Sequence, residues 1–364
     1  MKYFFFTLIF LLLVLPAVRA QDSIRYRVIL IGDAGEMNDR QRLDLQHAAD
    51  EILPGRTTVV YLGDNVYPRG MGLPGSGDAE KDKAILRSQF QPMRAKGAPV
   101  YFVPGNHDWD KMGPEGLAKI RAQGDFLNEQ GDSLLKLIPA NGCPDPVEVP
   151  LSDSLTLIAY DSEWWLFPFE KSDDQSECAC KTREDVVAKL SELRYKNRHK
   201  IILLAAHHPF QSYGTHGGVF TLKDHLFPLT AANPELYIPL PVIGSLYPLL
   251  RTLFTNPEDL KHPLYREMDR DITGVFKGFP NIVYVAGHEH GLQFIKSDRV
   301  QVVSGAGAKH TEAKKGKYSL FADAIQGYVT IDLLAGNTLS FNYWGYENGK
   351  LKNLFTYRQP FTAA

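Results

Sequence analysis

Short runs of consecutive apolar residues recur along the chain: Ile24 to Ile31, Thr57 to Leu62, Val100 to Val103, Leu155 to Ala159, Ile201 to Ala206 and Ile282 to Ala286. Such runs predict strands buried on both faces. Amphipathic stretches lie between them. In Thr182 to Arg198, Thr182 is placed to cap, Glu184 and Asp185 suit a first turn, and Val186, Leu190 and Leu193 share one face, so a helix is expected. After Gly291 the pattern is strand-like: Leu292 to Lys296, Val300 to Ser304, Tyr328 to Leu333 and Leu339 to Tyr346. Strands alternating with helices, then a β-rich end, predict one layered α/β domain.

Two stretches stand apart. Lys2 precedes the almost wholly apolar run Phe4 to Leu15, followed by Pro16 and the small-residue run ending at Ala20. This predicts a secretory signal over 1–20, cleaved after Ala20, and export of 21–364 to the periplasm or the medium. Phe220 to Arg251 is rich in Leu, Pro and aromatics, and Pro239, Pro241 and Pro248 forbid a regular membrane-spanning helix there. It reads as an insertion, at about 218–275, with its own small apolar core, or as a lid or membrane-docking surface.

Composition narrows the function. The 364 residues are 44% hydrophobic and 23% charged, with a formal charge of −2, which suits a folded chain and argues against nucleic-acid binding. Cys143, Cys178 and Cys180 are the three cysteines. In an oxidising compartment they predict one disulfide, Cys143 pairing with Cys178 or Cys180.

Metal-binding side chains follow the predicted strands in order. Asp33 lies in Gly-Asp-Ala-Gly, Asp64 in Gly-Asp-Asn-Val-Tyr, and Asn106 with His107 in Gly-Asn-His-Asp. His207 ends Ile201 to Ala206, and His288 and His290 lie in Gly-His-Glu-His. Ligands of open α/β sheets collect beyond the carboxyl ends of strands, so these loops are expected to share one rim. Oxygen and imidazole donors without thiolate suit iron, zinc or manganese. In extended backbone His288 and His290 point to one face roughly 6.5 Å apart, a spacing that can straddle two cations. Asp64 is the natural bridge. Gly70-x-Gly72-x-x-Gly75 imitates a dinucleotide fingerprint, but Pro74 interrupts it and it reads as a rim loop. His208 reads as a residue supporting the ligands or a pocket wall, Asp108 as a loop cap or a group orienting a histidine, and Trp164, Trp165 and Phe167 as core in preference to a substrate wall.

The set GDAG, GDNVY, GNHD, AAHHP and GHEH resembles the calcineurin-like metallophosphoesterases, and within them the small, tartrate-resistant purple acid phosphatases. The resemblance implies a four-layer α/β/β/α sandwich of two mixed sheets. Gly35 stands where the superfamily usually has a histidine ligand, while Tyr67 stands where purple acid phosphatases supply a tyrosinate. By position, one ion falls to Asp33, Asp64, Tyr67 and His290, and the second to Asp64, Asn106, His207 and His288. His107 and His216 match the two non-ligand histidines that face the phosphate and the leaving group. The implied cofactors are Fe(III) with Fe(II), Zn or Mn, since a phenolate needs a strongly acidic ion. The implied activity is acid hydrolysis of phosphate monoesters by a hydroxide bound at the dinuclear centre, with His216 as general acid. A small phosphorylated substrate is the expected partner. The 71 residues between His216 and His288 exceed the spacing in the small family members. Two alternatives remain: a phosphodiesterase or nucleotidase with a Zn or Mn pair, and a non-catalytic module contacting a membrane or envelope through 220–251.

Overall fold

The structure, a computed structural model, describes residues 23–171, 176–218, 226–227, 229, 236–240, 246, 256–311, 313–347 and 349–362. The expected signal and most of Phe220 to Arg251 lie outside the described residues.

Two mixed seven-stranded sheets face each other. The first contains β1 (Tyr26–Ile31), β2 (Thr57–Leu62), β3 (Val100–Val103) and β4 (Leu135–Leu137), with β12 (Gly327–Leu333), β13 (Thr338–Glu347) and β14 (Lys350–Pro360), in the order β14-β13-β12-β1-β2-β3-β4. The second contains β5 (Val147–Pro150), β6 (Leu155–Ala159), β7 (Ile201–Ala205), β8 (Ile282–Ala286), β9 (Leu292–Lys296), β10 (Val300–Ser304) and β11 (Ser319–Asp323), in the order β11-β9-β10-β8-β7-β6-β5. Helices α1 (Asp39–Asp50), α2 (Ala79–Ala95) and α3 (Gly116–Asn128) cover the first sheet. Helices α4 (Ser162–Leu166), α5 (Arg183–Lys196) and α6 (Pro263–Val275) cover the second.

The continuous apolar runs follow from this layering. Along β1, Val28 and Leu30 face the core between the sheets, while Ile29 and Ile31 face the helices. In β7, Leu203 and Ala205 point to the inter-sheet core and Ile202 and Leu204 to α5 and α6. Every central strand is covered twice, so period-two alternation disappears. The α5 capping box forms as Thr182 and Asp185 predict.

Several elements add to the sequence reading. Strands β4, β5, β11 and β14 were not evident from it: three are short, and β14 is an edge strand with a largely exposed, polar sequence. Helix α6 falls inside the expected 218–275 insertion, yet its Tyr265, Met268 and Ile272 pack into the core beneath the second sheet. The disulfide joins Cys143 to Cys178, and Cys180 is reduced and buried. Trp164, Trp165 and Phe167 are core residues, as expected.

One buried group works against the fold. Asp44 of α1 is 2% exposed, and neither carboxylate oxygen has a hydrogen-bond partner among the described residues. Burial pushes its pKa up to about 8, against the attraction of Arg40. A native pKa above the unfolded value gives stability that is complete below about pH 4 and is lost as pH rises toward 8. Melting curves of the parent and Asp44→Asn should therefore diverge between pH 5 and pH 8, the parent losing at least about 1 kcal/mol relative to the variant. Parallel curves would show that Asp44 does not titrate there.

Candidate metal centre

Strands β1, β2 and β3 run parallel to one another, as do β6, β7 and β8, so each set delivers its following loops to one edge. Asp33, Asp64 and Asn106 leave the first sheet there, and His207, His288 and His290 leave the second. Main-chain bonds draw the two groups together: the Gly32 N–H donates to the Ser304 carbonyl at 2.7 Å and the Gly307 N–H to that of Gly32 at 2.9 Å. The approach is so close that a Cβ on Gly63 would lie 2.3 Å from His207 Nδ1. Asp33, Asp64 and His288 adopt φ values of 58°, 54° and 68°. Three non-glycine residues in this left-handed region, all in one cluster, mark backbone strain of the kind that concentrates at functional sites.

All seven residues read from the sequence as ligands meet here, in two groups. Around Tyr67 Oη stand Asp33 Oδ1 at 3.0 Å, Asp64 Oδ2 at 3.1 Å and His290 Nε2 at 3.1 Å. Around His207 Nε2 stand Asn106 Oδ1 at 2.9 Å, His288 Nδ1 at 3.2 Å and Asp64 Oδ1 at 3.4 Å. The two oxygens of Asp64 thus face different groups. Ligands about 2.0–2.2 Å from an ion stand roughly 3 Å from each other, which is the spacing seen in both sets. Gly35 leaves no room for a side chain, since a Cβ there would lie 2.6 Å from the Asp64 carbonyl. Its own carbonyl accepts from the Tyr67 N–H at 2.9 Å, which seats Tyr67 in the cluster.

Protonation follows from burial. Desolvation drives the pKa values of His288 and His290 down, that of His290 to about 4, so both imidazoles are neutral at pH 7 with lone pairs to donate. Burial also raises Tyr67, and Asp33 and Asp64 push it further. Burial raises Asp33 as well, while Asp64 is held below the usual carboxylate range because His207, His107 and His290 outweigh its desolvation. Neutral imidazoles beside two buried carboxylates and a phenol form a donor set that fits a pair of cations, with Asp64 between them.

The remaining residues form the open side and the supporting layer. His107 and His216 are partly exposed, whereas the Asp33, Asp64, Tyr67, Asn106, His207 and His288 floor is buried. His107 Nδ1 donates to the Pro68 carbonyl at 2.6 Å, leaving Nε2 toward Asp64 Oδ2 at 3.8 Å. The His216 ring lies 3.9 Å from that of His288. His208 is buried behind His207 and His288, bonded through Nδ1 to Ser162 Oγ at 2.8 Å, with Glu163 Oε2 3.7 Å from its Nε2. Asp108 settles as a loop cap: it accepts from the N–H groups of Asn65, Val66 and Gly105. Sequence reasoning missed three contributors. Glu258 Oε1 accepts from Asn106 Nδ2, Asp259 Oδ1 meets His216 Nδ1, and Lys309 Nζ lies 3.6 Å from the Tyr67 ring centre. None sits in a motif or directly after an apolar run.

Comparisons with known proteins agree with this fold. The calcineurin-like phosphoesterase family model matches residues 26–238. No curated protein matches the chain. Among solved structures, the chain is similar to GAP50, described as the anchor in the inner membrane complex of Plasmodium, at 16% identity and a TM-score of 0.55 over 93% of this chain and 90% of that one. It is also similar to purple acid phosphatase PPD1 from yellow lupin (Lupinus luteus) seeds, at 14% identity and a TM-score of 0.53. That match covers 93% of this chain and 54% of the lupin protein, so the chain spans about half of its length. At these identities the likeness is one of fold. With its paired mixed sheets and the family match over more than half its length, the chain belongs to the calcineurin-like phosphoesterases.

Proposed function

We propose that this protein is an exported acid phosphatase that hydrolyses phosphate monoesters at a dinuclear centre, Fe(III) paired with Fe(II), Zn or Mn. The observation that carries the reading is the two donor groups sharing Asp64, one of them built on Tyr67. Asp33, Asp64, Tyr67 and His290 would hold one ion, and Asp64, Asn106, His207 and His288 the other. When bound, the pair supplies an ionised water nucleophile and positive charge against the phosphoryl oxygens.

The chain's own groups supply the rest. Tyr67 would serve as an anionic donor only to an ion of charge high enough to offset the rise that burial and the two carboxylates impose on its pKa. His107, its Nδ1 tied to Pro68, offers Nε2 to a phosphoryl oxygen. His216, with Asp259 against Nδ1, is placed to give a proton to the departing alkoxide. The non-catalytic alternative is disfavoured by the donors themselves, since a pure binding module has no need of seven converging ligand positions. Contact with a membrane or envelope through 220–251 remains part of the proposal for the intact protein.

Three outcomes follow. Adding Zn²⁺ or Mn²⁺ to metal-stripped protein should raise its melting temperature, by about 2.7 kcal/mol of stability at a hundredfold excess over Kd. Asp64→Asn should abolish that rise, and an unchanged response would remove Asp64 as the shared ligand. Protein prepared with iron should show a visible absorption band that Tyr67→Phe eliminates, and a colourless, iron-free, fully active enzyme would defeat the Fe(III) assignment. His216→Ala should slow alkyl phosphate hydrolysis by about 10²-fold or more while sparing p-nitrophenyl phosphate. Equal losses on both substrates would exclude His216 as the general acid.

A further inference from the structure

We propose that Glu258 and Asp259, within the long segment between His216 and His288, are positioning residues that set the orientation of three site side chains at once. The inference rests on the dinuclear reading above. Its observations are four contacts. Glu258 Oε1 accepts from Asn106 Nδ2 at 2.8 Å, and the Glu258 carbonyl accepts from His288 Nε2 at 3.1 Å. Asp259 Oδ1 accepts from His216 Nδ1 at 3.1 Å, and the Leu260 N–H donates to the His216 carbonyl at 3.1 Å.

Three of these contacts resolve an ambiguity that the side chain cannot resolve alone. An asparagine amide has a donor end and an acceptor end, and only the oxygen can ligate a cation. A carboxylate accepts only, so Glu258 draws Nδ2 to itself and turns Oδ1 toward His207 Nε2, 2.9 Å away. An imidazole has two tautomers. The Glu258 carbonyl takes the Nε2–H of His288 and leaves the lone pair on Nδ1, the atom that faces His207. Asp259 likewise makes Nδ1 the protonated nitrogen of His216, and a carboxylate there also stabilises the imidazolium needed for proton donation.

The pair is itself held rigidly. Asn256 Oδ1 accepts from the Glu258 N–H at 3.2 Å, and Asp259 Oδ2 accepts from the Asn256 N–H at 3.2 Å. The Asp259 carbonyl accepts from the His262 N–H at 2.9 Å, and His262 Nδ1 caps α6 by accepting from the Leu264 N–H. Tyr265 of α6 donates in turn to the carbonyl of Pro209, two residues after His207. Glu258 and Asp259 are 7% and 4% exposed, so solvent does not compete for their acceptors. The segment that sets this chain apart in length therefore contributes to the site's supporting layer.

The test uses the full chain, with Zn²⁺ as probe, bound metal per chain measured at controlled free Zn²⁺, and circular dichroism to verify folding. The parent should bind two ions. Glu258→Leu should weaken the second by about 10–100-fold and leave the first, and Glu258→Gln, which keeps an acceptor at the same place, should recover most of the loss. Asp259→Ala should keep both ions yet lose at least about 10-fold more rate on an alkyl phosphate than on p-nitrophenyl phosphate, with Asp259→Asn in between. Should Glu258→Leu fail to fold, Glu258→Ala takes its place. Two ions bound by Glu258→Leu with parental affinity, a Gln variant as impaired as Leu, or equal rate losses in Asp259→Ala would overturn the inference and leave the dinuclear reading standing. A parent that binds no pair of ions would overturn both.

Discussion

Two carboxylates buried in one pocket set the terms for everything around them. Asp33 and Asp64 place oxygens within 4.8 Å of each other and of a His207 nitrogen, with almost no solvent to screen them. Such a pair is unfavourable unless one member keeps its proton, as burial favours for Asp33, or a positive charge stands between them. Burial keeps His288 and His290 neutral at pH 7, so these two do not supply that charge. A cation resolves the conflict, and the surrounding donors are those that hard and borderline ions accept.

The fold makes that conflict possible. Parallel strands in two facing sheets end at one edge, and the loops that follow them meet across the inter-sheet boundary. Doubly covered sheets anchor those loops, since the apolar faces of β1, β2, β7 and β8 are buried on both sides. Positive φ at Asp33, Asp64 and His288 is local strain sustained by this anchoring. His107 and His216 remain partly exposed on the accessible side, above the buried floor.

Much of this was legible in the sequence, for a physical reason. Each of Asp33, Asp64, Asn106, His207 and His288 comes two or three residues after a strand, so a one-dimensional pattern reports a three-dimensional rim. Glycines beside the ligands, such as Gly63 against His207, register how closely the loops approach. Tyr67 and Gly35 were readable as a compensating pair, and the structure gives the steric basis. What escaped detection depends on contacts distant in sequence. Glu258 reaches Asn106 across 152 positions, and nothing local distinguishes it from a solvated acidic residue. The pairing of Cys143 with Cys178 rather than Cys180, and the exposed edge strand β14, were likewise decided by tertiary placement.

If seven side chains grip two cations through a shared Asp64, anomalous diffraction from crystals of the metal-loaded protein should show two peaks. One should lie among Asp33, Tyr67 and His290 and the other among Asn106, His207 and His288, with Asp64 touching both. A single peak, or none at saturating metal, would contradict this arrangement.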